Sequence, residues 1–374
     1  MQYRVLGKTG LRVSALGFGT MRFQMDGDNV DEEVAIAALH RAMDLGVNYF
    51  DSAVGYCNSQ SEAVLGKALV GRRQGLVIST KYPTWQPYTC TADDCRRILE
   101  QSLSRLGLDS LDVYHMHSLD WSAAQRVLAP GGALDGARKA KEEGLVKHLA
   151  FSFHDEAKRM IDIIDAADDF ESVTCQYNLL DRSNEASIAY AHEKGLGVVI
   201  MGPVGGGRLG FPSEQLMRMV PGGVKSTPEI ALRFVLANPN VTVALSGMNS
   251  VAMVEENAAT ASREEPLSEE ERQRVLEALA ENRRLAELYC TGCGYCMPCP
   301  NGVNIPENFR LMNLHRVYGL TQVARQRYAR FGPKEENNLN ASACVECGTC
   351  EPKCPQKIPI IEQLKETHRE LGDE

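Results

Sequence analysis

Between about residue 15 and residue 260, short apolar or β-branched runs alternate with longer stretches of helical periodicity, and no other feature of the chain narrows the fold so far. The candidate strands are ALGFGT, VNYFD, GLVISTK, LDVYHMH, VKHLAFS, SVTCQY, GVVIMG and VTVALSG. Between them come helical stretches such as DEEVAIAALHRAMDLG, TADDCRRILEQSLSRLG, DEAKRMIDIIDAAD and TPEIALRFVLANP. Eight strands alternating with helices over about 250 residues match an α/β fold of the (β/α)8 TIM-barrel kind, and a doubly wound open sheet fits less well. Ahead of the first strand, QYRVLGKTGLRVS sets a Gly-centred turn between two short alternating runs and predicts a β-hairpin that plugs the bottom of the barrel.

At 374 residues the chain has room for a barrel and a modest appendage. After SREEPLSEEERQRVLEALAENRRLAELY the composition turns rich in cysteine, proline and asparagine. Ser268, with Glu271 three residues on, has the form of a capping box. The expected division is a barrel over 1–265, a linker helix over 266–288 and a small, mainly helical domain over 289–374. Net charge is −9 with acids and bases interspersed, so no basic stripe supports nucleic-acid binding. No apolar run approaches the ~20 residues that span a bilayer, and the start lacks a basic segment followed by an apolar one. A cytoplasmic protein with small-molecule and redox partners, and neither membrane nor nucleic acid among them, is the expectation.

Of twelve cysteines, eight lie between Cys290 and Cys354 in two groups, which favours metal ligation over a disulfide framework. Cys57, Cys90, Cys95 and Cys175 are scattered and read as small buried or half-buried thiols. Cys344, Cys347, Cys350 and Cys354, in CVECGTCEPKCP, have the spacing C-x2-C-x2-C-x3-C-P of a bacterial ferredoxin run. Zinc usually takes cysteine pairs separated by a longer interval; three thiolates at this spacing wrap one face of a 4Fe-4S cubane and leave its fourth corner to a distant cysteine. Gly348 lets the backbone bend closely around inorganic sulfide. The run YCTGCGYCMPCPNG repeats the logic with Cys290, Cys293 and Cys296 followed by Cys299, although its last gap is two residues. Crossed ligation gives two 4Fe-4S clusters: one on Cys290, Cys293, Cys296 and Cys354, the other on Cys344, Cys347, Cys350 and Cys299.

Chemistry in a (β/α)8 barrel sits at the C-terminal ends of its strands. There the sequence sets Asp51 after the second strand, Tyr56 in the next loop, Lys81 closing the third and His117 closing the fourth. Each alone has an ordinary explanation as a cap, a packing group, a solvated cation or a loop histidine. Together they form an acid, a phenol, a cation and an imidazole around one point.

These segments resemble the aldo/keto reductase family. FDSAVGYCNSQSEAVLGKAL, STK and LGLDSLDVYHMHS match its signature stretches, and LGFGTMR, QYNLL and SGMNSVAMVEENAA follow in family order, covering roughly residues 1–262. The resemblance implies that Tyr56 is the proton donor, that Lys81 and Asp51 depress its pKa, and that His117 orients the carbonyl oxygen. The physical logic agrees: hydride delivery builds negative charge on oxygen, and a phenol of ordinary pKa near 10 meets it more readily beside a cation. His115, on the same face of the strand as His117, is either a core histidine or a support for it.

The same resemblance implies a nicotinamide cofactor across the mouth. Ser152, Gln176 and Asn178 would lie near its carboxamide, Gly205, Gly206 and Arg208 of MGPVGGGRLG near its pyrophosphate, and Glu256 and Asn257 near its adenine. Gly19, Thr20 and Met21 of LGFGTMR, together with Ser250, complete the implied cofactor residues. Where many members place a lysine and an arginine for the 2'-phosphate, this chain has Gly247 and Met253, so NAD and NADP both stay open. The tail resembles a helical dicluster domain appended to some bacterial and archaeal homologues.

Two functions follow. One is an oxidoreductase exchanging hydride between the nicotinamide and a small carbonyl or alcohol, with the clusters passing single electrons and a ferredoxin or other carrier as partner. The other is a cofactor-binding sensor whose tail is a ferredoxin-like carrier. The complete tetrad favours the enzyme. Trp85 and Trp121 either line a pocket for a ring or pack, and the clusters are either redox-active or fold the tail.

Overall fold

The computed structural model describes residues 1–218, 223–263, 267–287, 290, 294, 296–332, 338–354 and 357–372. Eight parallel strands close into a barrel: β1 (Leu16–Gly19), β2 (Tyr49–Asp51), β3 (Val77–Pro83), β4 (Leu111–Leu119), β5 (Val146–Phe153), β6 (Phe170–Gln176), β7 (Gly197–Met201) and β8 (Val243–Ser246). Each strand pairs with the next in sequence, and β8 returns to β1 with Ala244 opposite Leu16. The helices are α1 (Glu32–Asp44), α2 (Ser61–Leu69), α3 (Ala92–Leu106), α4 (Trp121–Leu128), α5 (Ala133–Glu142), α6 (Ala157–Ala166), α7 (Glu185–Glu193), α8 (Glu214–Met217), α9 (Thr227–Leu236) and α10 (Val251–Ala261).

Polar side chains start several of these helices by accepting from a free backbone N–H. Asp31 accepts from Val34 N at 3.2 Å, Thr91 from Asp94 N at 3.3 Å and Asp120 from Ala123 N at 2.6 Å. β3 and β4 each run two residues past the position expected to close them, because Lys81 pairs with His115 and Pro83 with His117. The tetrad side chains on these strands therefore stand one layer inside the rim.

The predicted hairpin forms: Tyr3–Val5 pairs antiparallel with Arg12–Ser14. Its Leu6 and Val13 are fully buried in one cluster with Tyr49, Val77, Val113, Val199 and Val243 from early positions of the strands, and so close the N-terminal end of the barrel. Burial of each of the two contributes roughly 2 kcal/mol.

Contacts divide the chain into two compact units, Met1–Gly206 with Ala231–Leu267, and Gly207–Ile230 with Ser268–Glu374. In the second unit Ser268 and Glu271 form the predicted capping box: Glu271 N donates to Ser268 Oγ at 3.1 Å, and Ser268 N to Glu271 Oε2 at 2.8 Å. They open α11 (Glu269–Glu287). α12 (Ile305–Arg316) and α13 (Thr321–Tyr328) divide at Gly319, whose φ is 64°, and α14 (Ile360–Leu371) packs on both. Phe309, Met312, Leu314, Val323, Ile360 and Leu364 are buried among them. Segment 207–230 groups with the rest of this unit, and its Ser213 Oγ donates to Tyr318 O at 2.6 Å. The described cluster cysteines lie outside the helices, and Cys293 is outside the described residues. Among the described residues no helix is long and apolar enough to cross a membrane.

Candidate active site and cluster motifs

β2 and β3 bring Asp51 and Lys81 together in the barrel interior, each about 1% exposed. Lys81 Nζ donates to Asp51 Oδ2 at 2.5 Å and to Ser52 O at 2.6 Å, and Ser79 Oγ donates to the other carboxylate oxygen at 2.6 Å. The ammonium is thereby fixed, 4.9 Å from the centre of the Tyr56 ring. Tyr56 stands on the turn between β2 and α2, its N–H on Ala53 O at 3.2 Å and its carbonyl taking Ser61 N at 3.3 Å. The three residues after it, Cys57, Asn58 and Ser59, have φ of 50°, 53° and 66°. That left-handed run costs roughly 1–2 kcal/mol per residue. It is held by a two-stranded ribbon, Met25–Asp26 paired with Asn29–Val30. Asn58 Nδ2 and Gln60 Nε2 both donate to Asp28 O, at 3.0 and 2.8 Å, and Val30 N donates to Gln60 Oε1 at 3.0 Å.

The His117 ring lies 5.8 Å from that of Tyr56, nearly perpendicular to it, and 4.9 Å from that of Trp85. Trp85 remains 43% exposed, so it borders the open space beside the tetrad. Trp121 packs elsewhere: its N–H is on Asp155 Oδ2 at 2.9 Å, and the Arg159 guanidinium lies 5.5 Å from its ring.

Burial raises the Tyr56 pKa above the ordinary phenol value, the Lys81 charge opposes that rise and the Asp51 charge adds to it. The expectation that Lys81 and Asp51 together depress it is thus corrected. Only the cation does so, and desolvation outweighs it, leaving a neutral phenol that carries its proton at rest. Burial alone would lower the Lys81 pKa, but Asp51 and Tyr56 overcome it and hold the ammonium charged. The His117 pKa falls well below its ordinary value through burial, then Lys81 and neighbouring His115 and His154, so its imidazole is neutral. His115 is fully buried with a pKa lowered to about 4 by burial, and its Nε2 lies 3.1 Å from Thr174 Oγ1. That is the core histidine of the two readings.

Around the same mouth, Gly19 ends β1 and Met21 is exposed. The Thr20 side chain turns inward, donating to Asp51 O at 3.0 Å and lying 2.5 Å from Ser61 Oγ. Ser152 Oγ accepts from Ser118 N at 2.7 Å. Asn178 Nδ2 donates to Gly202 O at 3.0 Å, and half-buried Gln176 ends β6 beside Gly202. Ser250 caps α10, exposed Glu256 and buried Asn257 lie on that helix, and Asn257 Nδ2 donates to Ser246 Oγ at 3.2 Å. Gly205 and Gly206 have φ of 62° and 64°; Gly205 is buried, whereas Gly206 is exposed and a Cβ on it would meet open space. An exposed left-handed glycine such as Gly206 fits the approach of a dinucleotide phosphate. Arg208 belongs to the second unit, and its side chain is outside the described ones.

Sequence reasoning missed Arg22. A Cβ on Gly247 would lie 2.8 Å from Arg22 Cγ and 3.0 Å from its Cβ, so an arginine stem from the loop after β1 lies across the glycine that replaces the family lysine. Arg22 is exposed, has no acidic partner among the described residues, and its charge reaches Tyr56. The signal was the cation directly following LGFGTM.

In the second unit, left-handed φ at Glu346 and Gly348, 60° and 73°, curl the chain around Cys347. Burial raises the Cys350 pKa, a backbone hydrogen bond opposes that rise, and the Cys344, Glu351 and Cys299 charges add to it. Among the described residues no three His, Cys, Asp or Glu side chains group tightly enough to hold a single metal ion.

Comparison with known proteins agrees. The profile of the Aldo/keto reductase family matches residues 15–280, and that of a 4Fe-4S dicluster domain matches residues 289–358. L-galactose dehydrogenase of Arabidopsis thaliana is 29% identical over 304 residues, covering 75% of this chain and 95% of that protein. An uncharacterized oxidoreductase of Schizosaccharomyces pombe is 30% identical over 262 residues, 67% of this chain and 82% of its own. Among solved structures, the holo form of an aldo-keto reductase from Bacillus halodurans superposes with a TM-score of 0.64 at 27% identity, covering 74% of this chain and 96% of that one. Fold and site together define a (β/α)8-barrel oxidoreductase with an iron-sulfur domain. The chain belongs to the aldo/keto reductase family.

Proposed function

We propose that the barrel exchanges hydride between a nicotinamide dinucleotide and the carbonyl or alcohol carbon of a small molecule, and that two 4Fe-4S clusters in the tail carry electrons singly to or from it. The observation that carries this reading is the neutral Tyr56 phenol beside a buried, charged Lys81. A nicotinamide, when bound, supplies or accepts the hydride. Tyr56 gives its proton to the carbonyl oxygen as that oxygen gains charge, and Lys81 stabilises the phenolate left behind. The neutral His117 imidazole donates to the same oxygen, while Asp51 keeps Lys81 charged and in place. Such a buried ion pair is costly away from a functional site.

Ser152, Gln176 and Asn178 would hold the carboxamide, Gly205 and Gly206 the pyrophosphate, and Ser250, Glu256 and Asn257 the adenosine end. Arg22 joins them as a cation for a dinucleotide phosphate, NAD or NADP, because its exposed side chain has no acidic partner among the described residues and its stem lies over Gly247. Trp85, open beside His117, offers a ring face to substrate. Cys290, Cys293, Cys296 and Cys354 would ligate one cluster and Cys344, Cys347, Cys350 and Cys299 the other, in an iron-sulfur domain over 289–374 joined by a linker over 266–288 to the barrel at 1–265. The clusters, when bound, exchange one electron each with a ferredoxin or other carrier, and the setting is the cytoplasm.

Anaerobically isolated protein should contain about eight irons per chain. It should oxidise NADH or NADPH with generic aldehydes in steady state. Tight dinucleotide binding without turnover in either direction would favour the sensor instead.

A further inference from the structure

We infer that Thr349 and Asn301 set the reduction potential of the cluster on the second cysteine run by hydrogen bonding to the Cys347 sulfur. The inference rests on the proposed ligation of that cluster by Cys344, Cys347, Cys350 and Cys299. Thr349 Oγ1 lies 3.4 Å from Cys347 Sγ, and Asn301 Nδ2 lies 3.9 Å from the same atom. The two groups come from different motifs. Thr349 follows Cys347 in its own run, whereas Asn301 follows the Cys299-Pro300 end of the first run.

The backbone keeps Asn301 in reach. Gly302 N donates to Cys299 O at 3.0 Å, Leu339 N to Gly302 O at 2.9 Å and Asn304 N to Leu339 O at 3.0 Å. A parallel bridge between Val303 and Leu339 thus lays the end of the first run beside the segment leading into the second. Asn308 Nδ2 adds a bond to Leu339 O at 3.2 Å.

A thiolate ligated to iron carries no proton, so in the loaded protein Cys347 only accepts, and the threonine hydroxyl and asparagine amide donate. Taking up one electron makes a cluster more negative. Donors to a ligand sulfur favour that charged state and raise the potential, and the exposure of Cys347 acts in the same direction.

The test is an anaerobic redox titration of the full-length, iron-loaded protein followed by electron paramagnetic resonance, with dithionite as reductant. Thr349→Val and Asn301→Ala should each move one of the two reduction waves to more negative potential, leaving the other wave and the iron content unchanged. Thr349→Ser, which keeps the hydroxyl, should titrate like the wild type. If Thr349→Val loses iron, Asn301→Ala and Thr349→Ser carry the comparison. Unmoved waves at full iron content, or a Ser variant displaced as far as the Val variant, would overturn the inference. Cys347→Ala with full iron and two unchanged waves would remove the ligand assignment beneath it, and the iron count tells that failure from a failure of tuning.

Discussion

At Tyr56 two opposite charges pull on one phenol, and desolvation decides the outcome: its pKa lies above the ordinary phenol value. The four residues were legible because a barrel brings the ends of its strands to one mouth, so spacing in sequence became proximity in space. The net direction of the Tyr56 shift was not legible, since burial appears only once β2, β3 and β4 enclose the site. His115 yields a separate prediction. Its folded pKa is about 4 against an ordinary 6.5, so the stability it contributes is fully present above pH 6.5 and is lost as pH falls toward 4. The unfolded chain binds a proton there that the core refuses, a loss of about 3 kcal/mol. His115→Leu should therefore flatten the acid decline of barrel stability by about that amount in denaturant titrations followed by the tryptophans, both of which lie in the barrel. An unchanged slope from pH 7 to 4 would count against a neutral, buried His115.

Among the elements, strands, the plugging hairpin and the start of α11 followed from apolar runs and from Ser268 and Glu271, whereas the caps at Asp31 and Thr91 emerged with the structure. Loops were harder to read. The left-handed run Cys57–Ser59 contains no glycine to announce it and exists because Asp28 O gathers Asn58 and Gln60. Likewise, Gly247 and Met253 signalled missing phosphate ligands, whereas the loop after β1 lays the Arg22 stem across Gly247. Charged hydrogen bonds of this kind contribute about 1.5–3 kcal/mol. Arg22→Gln should then weaken dinucleotide binding roughly tenfold or more, for NADH and NADPH alike if the pyrophosphate is held and for NADPH alone if the 2'-phosphate is. Gly247→Ala, which displaces the Arg22 stem, should reproduce part of that loss. Fluorescence titrations unchanged in both variants would show that the guanidinium does not meet the cofactor.

On the scale of the molecule, the joining of an oxidoreductase barrel to an iron-sulfur domain was readable from the strand-end segments and the cysteine spacing, because three thiolates at C-x2-C-x2-C suit a cubane and little else. That segment 207–230 groups with the tail was not readable, since Ser213 meets Tyr318 across 105 residues of sequence. The account as a whole stands on the barrel's chemistry, and one substitution isolates it. Tyr56→Phe keeps the ring and its packing against His117 but removes the proton. Measured anaerobically with an aldehyde that the wild type reduces, this variant should lose carbonyl reduction by about a thousandfold or more while binding the dinucleotide at near wild-type affinity. Turnover retained within a few fold, with cofactor affinity intact, would contradict Tyr56 as the proton donor and with it the reductase account.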